Sequence, residues 1–272
     1  FLAIISSNTL ATTMVRKANG AVNGFIVETD IAGGHNAPPR GKLQLSERGE
    51  PVYGERDKVD YAKLAELGLP FWLAGGYGRP GKLAEARALG AAGVQVGTAF
   101  AYCVESGLRE EYRRALLDKV AQGTAEVFTD PLASPTGFPF KVAQLEGTMS
   151  EQALYEARQR GCDLGYLRQA YSMDDGEIGY RCAAEPPAVY AAKGGNPEDT
   201  EHRKCVCNGL MANIGLAQTR RDGYVEPGIV TSGNDLVELA PFLTAGGRDY
   251  SAADVVSVLL AEPAQALATA AD

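Results

Sequence analysis

The chain has 272 residues, of which 45% are hydrophobic and 22% are charged, and its formal net charge is −8. This apolar content excludes a mainly disordered chain, and the length allows a substantial core without disulfides. The acidic excess argues against nucleic acid or an anionic membrane as a partner. The sequence contains no run of about 18 uncharged apolar residues, so no transmembrane helix is predicted.

The first part of the chain, residues 1–122, alternates short apolar runs with helical patterns. The apolar runs predict four strands, at residues 2–6, 24–28, 70–74 and 93–96. The helical patterns predict four helices, at residues 9–17, 61–67, 80–89 and 105–122. Runs that are apolar throughout are typical of parallel strands covered on both faces. Four successive βα units predict either half of a (β/α)8 barrel or part of an open doubly wound sheet.

The second part, residues 123–272, is rich in proline and paired glycines, and the regular alternation stops. Helices are predicted at residues 150–160, 205–214 and 252–260. We interpret this part as an irregular, mainly helical extension that packs on residues 1–122. The chain opens directly on the strand FLAII, without Met or a basic segment. This opening suggests a fragment that, if the fold is a barrel, lacks the first four units.

A histidine follows the second strand in the motif AGGH, residues 32–35. The two glycines allow a ligand to approach the backbone closely. His35 lies just beyond the carboxyl end of a strand, where barrel enzymes carry their chemistry, and an imidazole suits a general base near neutral pH. A loop histidine that only hydrogen-bonds its neighbours is the alternative.

The third and fourth strands end in Gly75-Gly76 and Gly97-Thr98. In barrels that bind a phosphorylated cofactor, the phosphate often lies between the last two βα loops, where backbone N–H groups act as donors. Tight βα turns without a ligand are the alternative interpretation. No Gly-x-Gly-x-x-Gly follows a strand, so a Rossmann dinucleotide site is not supported.

Three motifs occur in order: AGGH at residues 32–35, LAGG at 73–76 and GVQVGTAF at 93–100. As a set they resemble the nitronate monooxygenase family, formerly called 2-nitropropane dioxygenases, over roughly residues 1–110. The resemblance implies an FMN-dependent (β/α)8 barrel of which this chain contains strands five to eight. It also implies a cytoplasmic oxidoreductase that oxidises alkyl nitronates with O2 to carbonyl compounds and nitrite.

The resemblance assigns roles to individual residues. His35 matches the catalytic base, which takes the proton α to a nitro group. The cofactor contacts that it implies are Glu28, Gly33, Gly34, Gly75, Gly76, Gly97 and Thr98. The family usually has Gln where this chain has Glu28, so an acidic group lies near the flavin. No metal is implied, and the oligomeric state stays open.

A second enzyme class shares this barrel and a similar Gly-Gly-His element, namely the FMN-dependent enoyl-thioester reductases of fatty acid and polyketide synthesis. The sequence leaves the two substrate classes, and the use of NAD(P)H, open. Half a barrel would also expose two sheet edges. The isolated chain is therefore expected to bind FMN poorly and to be inactive.

The extension contains four of the five cysteines, Cys162, Cys182, Cys205 and Cys207. The Cys-x-Cys pair differs from the Cys-x-x-Cys of common zinc sites, so reduced thiols without a metal are the default interpretation. Iron–sulfur clusters accept varied spacings, which keeps a metal or cluster as the alternative.

Overall fold

The computed structural model describes residues 1–243 and 249–261, and a parallel sheet organises its first part. The strands are β1 (Leu2–Ile5), β2 (Gly24–Glu28), β3 (Phe71–Ala74) and β4 (Gly93–Gln95). They pair in the order β1-β2-β3-β4, and every pair is parallel. The four predicted strands are confirmed, each end within one residue. The fold of this part is therefore α/β with a parallel sheet.

The helices of residues 1–122 follow the strands. They are α1 (Asn8–Lys17), α2 (Tyr61–Ala65), α3 (Lys82–Ala88), α4 (Thr98–Ala101) and α5 (Glu110–Ala121). Side-chain caps fix two of the starts, because Ser7 accepts from the N–H of Leu10 and Asp60 from that of Lys63. Helix α5 begins five residues later than predicted, since the backbone N–H of Arg109 is held by the carbonyl of Asn213 at 2.7 Å. Helix α4 was not predicted.

The two faces of the sheet differ. One face, which we call the helix face, carries Ala3, Ile5, Phe25, Val27, Phe71, Leu73 and Val94. Inward residues of α1, α2 and α3, among them Ala11, Leu64 and Ala86, pack on it in one hydrophobic core. The opposite face, the open face, includes Leu2 and Ile4, which are 42% and 57% exposed. These three helices therefore cover one side of the sheet, whereas a doubly wound sheet carries helices on both.

The extension is less regular than its predicted helices suggested. It contains two antiparallel hairpins that were not predicted, β5–β6 (Val127–Asp130 and Phe140–Ala143) and β7–β8 (Gln169–Ser172 and Ile178–Arg181). Its helices are α6 (Gln152–Glu156), α7 (Pro187–Ala192), α8 (Val206–Asn213) and α9 (Ala252–Leu260). The predicted helix at 150–160 is shortened to α6 because Arg158 turns inward to a buried ion pair with Glu226. Every helix of the described residues is too short or too polar to span a bilayer.

The extension and the first part share a hydrophobic core. Leu116 and Leu117 of α5 pack there with Val127 of β5, Ala143 of β6 and Val255 of α9. Burying each side chain of this size contributes roughly 1.5–3 kcal/mol. The extension is consequently tied to α5 by apolar packing.

Candidate functional site

Two cavities open at the carboxyl edge of the parallel sheet. The smaller, which we call the turn cavity, has a volume of about 320 Å³ and lies at the ends of β2, β3 and β4. The larger, the open cavity, has a volume of about 800 Å³ and is lined by the end of β1 and by residues 36–38 and 53–61, among others. Glu28 lines both. Ligand sites in parallel α/β sheets lie at this edge because the strand-to-helix loops converge there.

The lining of the turn cavity contains all seven residues that the resemblance connects with a cofactor. They are Glu28, Gly33, Gly34, Gly75, Gly76, Gly97 and Thr98. Gly75 and Gly76 have φ angles of 88° and 78°, a left-handed conformation that glycine adopts without strain. A Cβ atom at Gly75 would lie 2.3 Å from Oγ1 of Thr29 and 2.9 Å from the backbone nitrogen of Ala32. Only glycine therefore lets the loops after β2 and β3 approach this closely.

A segment of the extension, residues 231–235, closes the turn cavity. Gly34 donates its backbone N–H to Oγ1 of Thr231 at 2.7 Å, and a Cβ atom at Gly33 would lie 2.8 Å from the nitrogen of Gly233. Sequence reasoning missed this segment. Its letters, TSGND, carry no signal that would connect them with strands more than 130 residues earlier.

Asp235 is a buried carboxylate inside this cavity. The hydroxyl of Thr98 donates to Oδ1 of Asp235 at 2.6 Å and accepts from the N–H of Gly233 at 3.2 Å. Burial raises the pKa of Asp235 above its usual range. The hydroxyl of Thr98 is thus already engaged in two hydrogen bonds. An anion that enters the cavity would meet the carboxyl group of Asp235 in addition to that of Glu28.

His35 lies between the sheet and the extension, outside the lining of both cavities. Its Nε2 is 2.7 Å from Oγ of Ser134, and its ring meets Phe140 edge to face, with centroids 4.9 Å apart. Burial lowers the pKa of the imidazole below its ordinary value. The ring is therefore neutral near pH 7, which is the protonation state of a general base.

Glu28 ends β2 on the open face, half-buried, and it is the acidic group that the two cavities share. Burial raises the pKa of its carboxyl group. The side chain can consequently hold a proton at a higher pH than an exposed glutamate.

Lys141 on β6 is a further buried group near this edge, and sequence reasoning did not single it out as a site residue. The residue is 1% exposed, and its Nζ donates to Oγ1 of Thr129 at 2.7 Å. Burial lowers its pKa to about 8, although Asp30, Glu50 and Asp235 act in the opposite direction. Its backbone N–H donates to the carbonyl of Gly34 at 2.9 Å, which fixes the loop that precedes His35.

Comparison with known proteins bears on the same part of the chain. Residues 1–132 match the model of the nitronate monooxygenase family. A curated nitronate monooxygenase from Paraburkholderia phytofirmans is 35% identical over 117 residues, which is 42% of this chain and 31% of that relative. The family consists of FMN-dependent oxidoreductases. The chain thus matches about a third of the length of this relative.

A solved structure resembles the whole chain more distantly. The structure of FabK from Thermotoga maritima covers 99% of this chain at 18% identity with a TM-score of 0.49, and the chain spans 62% of its length.

Proposed function

We propose that the chain is part of an FMN-dependent nitronate monooxygenase and that the turn cavity holds the FMN phosphate. The observation that carries the proposal is the convergence of seven family-matched residues on one cavity at the carboxyl edge of the sheet. Backbone N–H groups at Gly75, Gly76 and Gly97 would act as donors to the phosphate.

The residues present fit a phosphate once Asp235 is accounted for. The glycine turns supply a backbone cradle without side chains, and the guanidinium of Arg79 lies within electrostatic reach of Asp235. The carboxylate opposes an anion, so Asp235 must be protonated, or its side chain must turn out of the cavity, when phosphate binds. Its raised pKa makes protonation less costly.

The open cavity is the proposed place for the flavin ring and the substrate. Its volume suits a ring system together with a small molecule, and Glu28 connects it with the turn cavity. FMN, when bound, would supply the electron acceptor for a nitronate, and O2 would be the second substrate.

His35 is the proposed base for neutral nitroalkanes. Its lowered pKa keeps the imidazole able to accept the proton α to the nitro group. Because His35 lies outside the lining of both cavities and its Nε2 contacts Ser134, the ring must turn from Ser134 toward the open cavity, whose lining includes the next residue, Asn36, before it can reach a substrate. A preformed nitronate has already lost this proton and does not need the base.

We infer further that β1 to β4 correspond to strands five to eight of a (β/α)8 barrel. Support comes from the three helices on one side of the sheet and from the exposed apolar residues Leu2 and Ile4 on the open face, which in a barrel is the interior. Residues 1–122 would form this half and residues 123–272 the extension on it. A cytoplasmic enzyme fits this proposal.

Two variants test the function. In the purified full-length enzyme, His35→Asn should slow nitrite release from neutral nitroethane by about 10²-fold or more, the usual contribution of a general base. Release from preformed ethylnitronate should change by less than about 3-fold. His202→Asn is the matched control, because His202 is exposed and has a φ of 58°, which asparagine tolerates.

Three results would contradict the proposal. If His35→Asn slows nitrite release equally from nitroethane and from ethylnitronate, His35 is not the catalytic base. If the protein oxidises NAD(P)H only when an enoyl-thioester is present, and releases no nitrite from nitronates, the alternative of an enoyl-thioester reductase would be favoured. A full-length enzyme that is colourless and takes up no added FMN would remove the cofactor site, whereas weak FMN binding is already expected of the isolated chain.

A further inference from the structure

Four cysteines of the extension meet in one cluster although three separate segments supply them. Cys162 precedes β7, Cys182 follows β8, and Cys205 and Cys207 lie at the start of α8. They pack together with Ala184. The fifth, Cys103, belongs to the core around α5, where its thiol donates to the carbonyl of Phe100 at 3.1 Å. The topology thus separates four cysteines from the fifth.

The surroundings of the cluster do not favour thiolates at three of its four cysteines. Burial raises the pKa of the Cys205 thiol to about 11 and also raises that of Cys207, and contact with Cys162 together with burial raises that of Cys182. Contact with Cys182 lowers the pKa of the fourth thiol, Cys162, to about 7. Metals bind the deprotonated form, so a metal ion that enters the cluster must displace the protons of these thiols.

The segment around the cluster has little apolar core of its own. Besides the cysteines its buried centre contains alanine, while Ile178 and Tyr180 of the β7–β8 hairpin are 67% and 55% exposed. Small, loop-rich units of this kind need a cross-link such as a disulfide or a structural metal, and all five cysteines are free.

We propose that one thiophilic metal centre, a zinc ion or an iron–sulfur cluster, is bound by four thiolates, those of Cys162, Cys182, Cys205 and Cys207. Among the described residues, no three His, Cys, Asp or Glu side chains already have the arrangement of a metal site. Four cysteine thiolates are nevertheless a ligand set that zinc and iron–sulfur clusters accept, and binding would require the four side chains to rearrange about χ1. Binding Zn²⁺ to four thiols releases four protons and leaves a charge of −2 on the site. Arg168 acts on Cys162 and would offset part of that charge, whereas Arg158 and Lys193 are already paired with Glu226 and Glu185.

The centre would also support the loop that contacts His35. Directly before Cys205, the N–H of Lys204 donates to the carbonyl of Ala133 at 2.8 Å, and Arg203 Nη1 donates to the carbonyl of Ser134 at 2.8 Å. Ser134 in turn contacts His35. Fixing the start of α8 therefore fixes the Ser134 turn.

Metal content tests the proposal without reference to flavin chemistry. Protein purified without chelators from medium containing zinc and iron should hold about one zinc per chain, or iron with matching acid-labile sulfide and a broad absorption that bleaches with reductant. The variants Cys182→Ser and Cys205→Ser should hold less than about 0.1 metal per chain. Cys103→Ser should keep the full content.

A second measurement does not depend on the folding of a variant. In the native wild-type protein, the two partly exposed thiols of the cluster, Cys162 and Cys207, should resist alkylation until a chelator or an organomercurial removes the metal, while the buried Cys103 stays unreactive with and without metal. A metal content below about 0.1 per chain in the wild type would overturn the proposal. So would a Cys162–Cys182 disulfide in the purified native protein.

Discussion

Residues 1–122 and the extension are stabilised in different ways. The first part buries apolar side chains on the helix face. In the part of the chain that the structure describes, seven charged residues are buried, and six of them belong to the extension, namely Lys141, Arg158, Glu185, Lys204, Glu226 and Asp235. Buried charges are tolerated only with partners. Apolar packing thus dominates the first part, whereas the extension combines apolar packing with specific buried polar contacts.

Glu226 shows how the extension is assembled. Its carboxylate forms a fully buried ion pair with Arg158 and also accepts from Arg220 at 3.4 Å and from Asn208 at 3.5 Å. These partners come from different loops and from α8. The network therefore adds polar contacts to segments that also meet in a hydrophobic cluster, to which Met149, Val206 of α8 and Ile229 belong.

The largest expected effect comes from breaking this ion pair. Glu226→Gln leaves the charge of Arg158 buried and unbalanced, which should lower the free energy of unfolding by about 3–5 kcal/mol. Glu110→Gln is the control, since its pair with Arg114 is exposed and is worth less than about 1 kcal/mol. Urea unfolding of both variants measures these free energies. Equal losses of unfolding free energy in Glu226→Gln and Glu110→Gln would show that the buried pair does not hold the extension together.

The buried Lys141 predicts a dependence of stability on pH. Its folded pKa of about 8 lies below its ordinary value of 10.5, so between these pH values the unfolded chain binds more protons and stability rises with pH. Lys141→Met lacks this titration. The variant should be more stable than wild type at pH 7 by up to about 3 kcal/mol, and the difference should shrink toward pH 10. A stability difference between the variant and wild type that does not change with pH would mean that the folded state does not lower the pKa of Lys141.

A smaller effect should follow at the glycine turns. Gly75→Ala places a Cβ against Thr29 and Ala32 at a positive φ, which should cost about 1–3 kcal/mol in the free energy of unfolding and weaken FMN binding. Gly20→Ala is the control, because a Cβ there meets nothing within 4 Å. Thermal unfolding and flavin fluorescence titration measure the two effects. An unchanged melting temperature would show that the loop tolerates the side chain.

The lining of the candidate site could be anticipated from the sequence only where its residues follow strands. Glu28, Gly75 and Thr98 lie at strand ends that apolar runs mark in the sequence, and the structure brings them to one cavity. Asp235 lies in a short 3-10 helix, Asn234–Glu238, and Ser134 in a loop; they contact Thr98 and His35, and neither segment has a periodic pattern. Contacts across about 100 residues or more leave no local signal, so these two partners were missed.

The amino-acid sequence by itself determined the four strands, their helices and the parallel arrangement, because buried βα units require continuous apolar runs with fixed spacing. The tertiary structure decided how the extension is built. Its two hairpins have four-residue strands, α6 ends where Arg158 turns inward to Glu226, and the four cysteines meet from three segments. Those features depend on partners distant in sequence, whose pairing free energy exists only after the chain has folded.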